Sequence, residues 1–305
     1  MTMISTLRAR ASAIPAPVQG ALWMLSATTV WALMSALVRF LSKDIHPFET
    51  GFFRTIVAAL IMVPHMIRAR TGLFPKAHRP LYFARALLHE GAMLSWFFAL
   101  TVVPLMDATA LFFTAPLFAT VLAVFILREK VRWARWIAVA VGFAGAMLVT
   151  KPGTGAMDWG ALIVLMSALC SATGRVTVRS LTKLDAPNTI VAYNFVILTP
   201  MVFCAAIWFW TWPTWNQLAL LVLLGALGAV GHLFLTRAYA VAEASQVAPF
   251  DFAQLLAAGV IGYFVFMEVP DNWTVAGSML IAGSGIFIAL REAQLRRAAR
   301  RLAAA

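Results

Sequence analysis

Long apolar runs alternate along this chain with short polar connections. The runs predict ten helices, over residues 20–41, 48–68, 81–102, 104–127, 133–150, 159–180, 187–209, 216–240, 242–267 and 273–290. Each is close to the ~20 residues that an α-helix needs to cross a hydrocarbon core. Helix-breaking residues fall at or near the ends of the runs: Pro47, Pro75, Pro80, Pro104, the Lys151-Pro152-Gly153 triplet, Pro187, Pro213 and Pro270. Residues 1–19 carry Arg8 and Arg10 but no apolar core ahead of Gly20. They read as a cytoplasmic tail rather than a cleaved leader, and residues 291–305 as a second, basic tail.

The pattern is written twice. Residues 20–47 align without a gap on residues 160–187 at an offset of 140, with ten of 28 positions identical, among them Gly20/Gly160, Arg39/Arg179, Lys43/Lys183 and Pro47/Pro187. A second alignment, at an offset of 139, sets Ala99 to Glu129 over Ala238 to Glu268. The chain therefore divides into a first unit, 20–152, and a second, 159–290, of five expected helices each. With an odd number of spans, the second copy must enter a membrane upside down relative to the first. Inverted repeats of this kind enclose a site near the midplane of the bilayer. A channel would call for a filter-like stretch, and none is visible.

Charge gives the orientation. Of the 24 Lys and Arg residues, 18 fall in the tails and the even-numbered connections. The opposite side carries Arg39, Lys43 and Lys151, offset by Asp44, Asp158, Glu268 and Asp271. The positive-inside rule then puts both termini in the cytoplasm. Trp210, Trp212, Trp215 and Trp273 gather towards the outer side, as an interfacial belt would. At 62% hydrophobic and 12% charged, the composition excludes a soluble globular domain. The net charge of +12 is spread in short clusters without a basic stripe interleaved with aromatics, which argues against nucleic acid as a partner. Cys170 and Cys204 lie within apolar runs and read as small packing residues, not as a disulfide or metal pair.

The stretch FFALTVVPLMDATALFFTAPLFATVLAVFILREKVRWARWIAVAVGFAGAMLVTKPG resembles the EamA-type repeat of the drug/metabolite transporter superfamily. The features that carry the likeness are the Pro-Leu-x-Asp-Ala-Thr segment from Pro104 to Thr109, the mid-helix Pro116, the closing Glu129, and Gly142 and Gly145 ahead of Lys-Pro-Gly. HPFETGFFRTIVAALIMVP and the run from Ala240 to Ile288 look like the same superfamily, most of all its bacterial branch with S-adenosylmethionine and riboflavin carriers. The resemblance covers residues 20–290 and implies a small-molecule carrier of the bacterial inner membrane, without naming its substrate. The second copy has Leu255 where the first has Pro116 and carries its proline at Pro249, so the two central helices are expected to bend differently.

Polar groups within apolar helices are costly and usually face a cavity or the bundle interior. Glu90, beside His89 and near the middle of the third helix, reads as a proton or substrate-cation site, or as one half of a buried pair. Asp251 and Gln254, three residues apart after Pro249, read as one polar face for substrate, or as a locally bonded kink. His232, on a run with Gly225, Gly228 and Gly231, reads as an interhelical hydrogen bond or a titrating group. Arg54 and Asp107 read as an ion pair at an outer gate, or Arg54 as a snorkelling side chain near Glu49. Arg175 reads as snorkelling inward, and Trp31 and Tyr193 as stacking platforms or packing. Glu129 and Glu268 read as structural. No metal-ligand spacing, phosphate loop or nucleophile motif appears, so no cofactor or catalytic residue is expected.

The expectation is an all-α integral membrane protein of ten transmembrane helices in two inverted five-helix repeats, both termini cytoplasmic. Its partners are the lipid bilayer and a small-molecule substrate, moved by secondary active transport with proton coupling through Glu90 or Asp251. Import or export, and monomer or homodimer, stay open. A lipid-modifying membrane enzyme or a structural membrane partner is the alternative class.

Overall fold

The computed structural model describes residues 15–68, 75, 77–125, 133–151, 159–181, 184–185, 187–242 and 244–304. Twelve α-helices occupy them: α1 (Ala16–Leu41), α2 (Pro47–Arg68), α3 (Arg79–Val102), α4 (Leu105–Phe112), α5 (Ala115–Phe125), α6 (Trp133–Thr150), α7 (Trp159–Leu181), α8 (Pro187–Ala206), α9 (Trp215–Val241), α10 (Ala244–Asp251), α11 (Ala253–Phe266) and α12 (Asn272–Ala304). A single 3-10 turn, Ile207–Phe209, follows α8. Among the described residues, eight helical segments are long and apolar enough to cross a membrane, and Trp159–Gly174 is a shorter apolar one. The third run, α3, is absent from these eight, and it is the one that carries Arg85, His89 and Glu90 along its length.

The helix ends follow from local chemistry. Thr214 and Gln217 cap α9 reciprocally: the Thr214 amide donates to Gln217 Oε1 (2.8 Å) and the Gln217 amide to Thr214 Oγ1 (3.4 Å). Asp271 Oδ1 accepts the Thr274 amide (2.8 Å) at the start of α12. Helix α11 stops in a left-handed turn at Met267 (φ 55°), where the Glu268 amide donates back to the Gly262 carbonyl (3.0 Å). That turn folds Glu268 back over the bundle end. The last helix runs on to Ala304, well beyond the expected stop at residue 290, because nothing in its Arg- and Ala-rich continuation breaks it.

The two central runs each break in two, and they break alike. Helix α4 gives way at Phe113-Thr114 and α10 at Phe252, equivalent positions at the 139-residue offset. The expectation of unlike bends fails because the two prolines flank the break from opposite sides. Pro116 sits in the first turn of α5, where a missing amide is tolerated, whereas Pro249 sits in the last turn of α10 and frees a carbonyl there. Phe113 and Phe252 stack on each other with ring centroids 4.6 Å apart, so the two breaks meet.

The two halves interlock rather than sit side by side. Helix α1 packs most extensively on α9, and α3 on α7, while α2 packs on α8 and α6 on α12. In repeat terms α1 corresponds to α7 and α3 to α9, so the first two contacts are copies of each other. The last two join a helix to its own counterpart. At the α6–α12 crossing the backbones touch: a Cβ at Gly145 would lie 2.7 Å from the Gly277 carbonyl oxygen, which only glycine permits. The largest core cluster takes residues from both halves, among them Leu100, Leu105, Leu111, Leu198, Leu221 and Ile281. Large apolar side chains also cover the outside, including Leu60, Leu87, Met147, Leu256 and Phe264, as a lipid-facing surface requires. Cys204 is exposed among them rather than in the core, while Cys170 is partly covered.

Candidate functional site

Five helices converge on one polar cluster inside the bundle. Helix α2 supplies Arg54, α3 supplies His89 and Met93, α8 supplies Asn194, α9 supplies Gly228 and His232, and α1 supplies Trp31. Arg54 is only 5% exposed, so it does not snorkel, and it forms no ion pair with Glu49, whose Oε2 accepts from Thr211. Its Nη1 donates to the Met93 sulfur (3.0 Å), and its guanidinium carbon lies 5.9 Å from the Phe97 ring centroid. A Cβ at position 228 would stand 3.3 Å from its Nε, so the glycine there is what lets α9 pass so close. His89 Nδ1 is bonded to Asn194 Nδ2 (2.7 Å), which assigns the ring proton of a neutral His89 to Nε2. His89 is also within electrostatic reach of Arg85, Arg54 and His232. Ring contacts link the group: His89 to Phe195 (6.2 Å), Phe195 to His232 (6.3 Å) and His232 to Trp31 (5.9 Å).

The cluster obeys the internal repeat in position and breaks it in chemistry. Arg54 and Asn194 are equivalent at the 140-residue offset; His89 and Gly228, and Met93 and His232, are equivalent at 139. Arg54 and Asn194 thus occupy matching places on α2 and α8, each set against α3 and α9. Repeat comparison over these helices was the sequence signal that could have found Asn194 and Met93, neither of which stood out alone.

The remaining expected residues separate from this group. Glu90 is half-buried and has neither a hydrogen bond nor an ion pair among the described residues. Although adjacent to His89 in sequence, it projects off another face of α3, because successive helical residues are about 100° apart. Asp251 and Gln254 are both partly covered, but the break at Phe252 falls between them, so they end one helix and begin the next instead of sharing a face. Tyr193 packs edge-on against Tyr82 (5.4 Å), whose hydroxyl donates to Asp185 (2.6 Å), in a separate small core. It is no platform for the cluster. The Arg175 side chain and residue Glu129 lie outside the described residues.

Asp107 belongs to the far end of the bundle, so the expected Arg54–Asp107 pair does not form. There it is hydrogen-bonded to Thr274, within reach of Lys151, Glu268 and Arg39. Arg39 forms a salt bridge with Glu268 and donates to the Val103 carbonyl, with the Phe266 ring face 5.2 Å away. Glu268 Oε2 also accepts the Leu105 amide (2.8 Å), the first of the unsatisfied donors at the N-terminus of α4. Lys151 pairs with Asp271. This brace ties α1, α4 and α6 of one half to the α11–α12 connection of the other. On the connection between α1 and α2, His46 stacks on Phe209 (4.0 Å), and burial holds its pKa below the usual histidine value. Glu49 is fully buried at that end and accepts from the amide and hydroxyl of Thr211 (3.1 and 3.0 Å).

Comparison with known proteins is consistent in kind. The profile of the EamA-like transporter family matches residues 18–151 and again residues 158–290. The chain is 28% identical to an S-adenosylmethionine uptake transporter of Rickettsia prowazekii, over 90% of this chain and 93% of that protein. It is 33% identical to a riboflavin transporter of Rhizobium johnstonii, over 92% and 94%. A pseudopaline exporter of Pseudomonas aeruginosa is 28% identical over 86% and 93%.

Proposed function

Because the chain belongs to the EamA-like transporter family, we propose that it is a secondary carrier of a small organic metabolite across the bacterial inner membrane, working by alternating access. The observation that carries this reading is the polar cluster at the seam of the interlocked halves, with charged residues bracing one end of the same seam. A protein that only packs in a bilayer has no use for Arg54, His89 and Asn194 in its interior, because each raises the cost of insertion. Rocking of one half against the other, around a site shared by both, exposes that site to one side at a time.

The topology that goes with this reading has ten spans. Helices α4 with α5 and α10 with α11 each make one broken span, and the remaining eight helices make one each. The two units are then 20–152 and 159–290, inverted, with both termini cytoplasmic by the loop charges. In this reading the end held by Arg39, Glu268, Lys151 and Asp271 faces the periplasm, where the two ion pairs tie the halves together. Broken helices at the midplane are a frequent feature of carriers, because their free backbone groups line the binding site.

Relatives named for uptake and for export are both similar to this chain, so the fold alone does not set the direction. Glu90, a half-buried carboxylate without a partner among the described residues, is the proposed proton-coupling group, with Asp251 the alternative. Reconstituted protein should show saturable counterflow of a labelled solute, tested with S-adenosylmethionine and riboflavin first, in both directions. A pH gradient should drive accumulation several-fold. Glu90→Gln should abolish that drive while sparing counterflow; Glu90→Gln that still concentrates solute, with Asp251→Asn doing the same, would remove proton coupling from the proposal.

A further inference from the structure

The central cluster also specifies part of its ligand, given that the protein is a carrier. Arg54 keeps its charge under all physiological conditions and cannot discard it by losing a proton. Yet among the described residues its neighbours are a thioether, a phenyl ring and a glycine. The Met93 sulfur is a weak acceptor and the Phe97 face a modest cation site; neither neutralises a guanidinium. Its Nε has no hydrogen-bond partner among the described residues. No described carboxylate forms an ion pair with Arg54: Glu49 accepts from Thr211, Glu268 pairs with Arg39, Asp107 lies in the brace, Asp185 accepts from Tyr82 and Asp271 pairs with Lys151. Glu90 forms no ion pair with Arg54 or with any other described residue. The other titratable groups within reach, Arg85, His89 and His232, add positive or neutral character.

A second orphan lies beside the first. Asn194 is 4% exposed, spends its amide nitrogen on His89, and leaves its Oδ1 without a donor. Buried polar atoms of this kind are rare in folded proteins, and two in one cluster at the seam of the halves need one explanation. We propose that Arg54 binds an oxyanion of the transported solute, a carboxylate or a phosphate, through its Nε edge, with Asn194 Oδ1 receiving a hydrogen-bond donor of the same molecule. A guanidinium edge and a planar or tetrahedral oxyanion match in two parallel hydrogen bonds. At position 228 no side chain of α9 stands against that edge, and a Cβ there would lie 3.3 Å from the Nε.

The test compares acids with their neutral mates on the purified, full-length protein: nicotinate with nicotinamide, N-acetylphenylalanine with N-acetylphenylalaninamide, and phenyl phosphate with phenol. Bound solute raises the melting temperature by mass action. At least one acid should do so at a concentration tenfold or more below its neutral mate, and the phosphate pair tells which oxyanion is preferred. Arg54→Met should erase that discrimination and, by removing an uncompensated buried charge, raise the ligand-free melting temperature by roughly 2 °C or more. Gly228→Ala, which keeps the charge but crowds the Nε edge, should weaken acid binding with little effect on the neutral mates. A wild type that no acid stabilises more than its neutral mate overturns the proposal, and so does an Arg54→Met variant that melts lower than wild type, since a structural arginine behaves that way. Counterflow separates the two levels of inference. Exchange of neutral solutes alone leaves a carrier without an oxyanion site, whereas no saturable exchange of any solute removes the carrier reading itself.

Discussion

The two polar regions of this bundle use the same residue types to opposite ends. At the brace, Arg39 and Glu268 keep 20% and 16% of their side-chain surface, and between them they satisfy each other, the Val103 carbonyl and the Leu105 amide. In the cluster, Arg54 is more deeply buried and satisfies no carboxylate among the described residues. A paired charge at a partly wet helix end holds the halves together; an unpaired one in the interior makes the empty protein less stable than it could be. Proteins retain the second kind at sites that something else completes. The contrast therefore assigns the brace to the conformational equilibrium and the cluster to the ligand.

The largest expected effect breaks the brace. Glu268→Ala strands the Arg39 guanidinium and uncaps α4 in one step, and should cost about 3–4 kcal/mol, somewhat below the loss for a fully buried pair. Glu90→Ala, the same change at a carboxylate with no partner among the described residues, should leave stability unchanged within about 0.5 kcal/mol or raise it. Reversible unfolding of both variants in mixed micelles measures the pair. Equal losses would mean that the two regions do not differ in the way argued.

A smaller effect concerns the helix breaks, where Phe113 and Phe252 stack. Either change to Ala should cost about 2–3 kcal/mol through lost burial. The double variant should lose less than the two together by about 0.5–1.5 kcal/mol, the coupling expected of an aromatic pair. A coupling near zero would show that the breaks are independent of each other.

Much of this frame was legible in the apolar pattern. The apolar runs and their prolines anticipate the order of the helices, because helix length and termination are local properties, but not that two central runs each break in two. What the pattern could not show is which helices of one copy lie against which of the other, since that is decided by side-chain fit across the seam. For this reason Arg54 looked like a membrane-edge arginine: position 54 is only seven residues into α2, and nothing nearby in sequence announces that α9 covers it with Gly228. Asp107 was correctly marked as polar but given the wrong partner for the same reason. Sequence adjacency misled in the opposite direction at Glu90, which was coupled to His89 although the helix turns the two apart. The repeat itself pairs the two groups. Set at the 140-residue offset, Arg54 falls on Asn194, and the two unsatisfied groups of the cluster are each other's counterparts.

The smallest effects test whether the brace is held by charge or by backbone capping. Lys151 and Asp271 form its outermost pair, with side chains 30% and 44% exposed, and pairs that open to solvent contribute little. Lys151→Ala should therefore cost no more than about 0.5 kcal/mol, and that loss should vanish in high salt. Asp271 has a second role, because its Oδ1 accepts the Thr274 amide at the head of α12. Asp271→Ala should cost about 1 kcal/mol, the usual value of an N-cap, and salt should leave most of it in place. Asp271→Asn keeps the capping oxygen and loses the charge, so it should behave like Lys151→Ala. If Asp271→Asn instead matches Asp271→Ala, the outermost contact of the brace is electrostatic after all, and ionic strength becomes a handle on how readily that end opens.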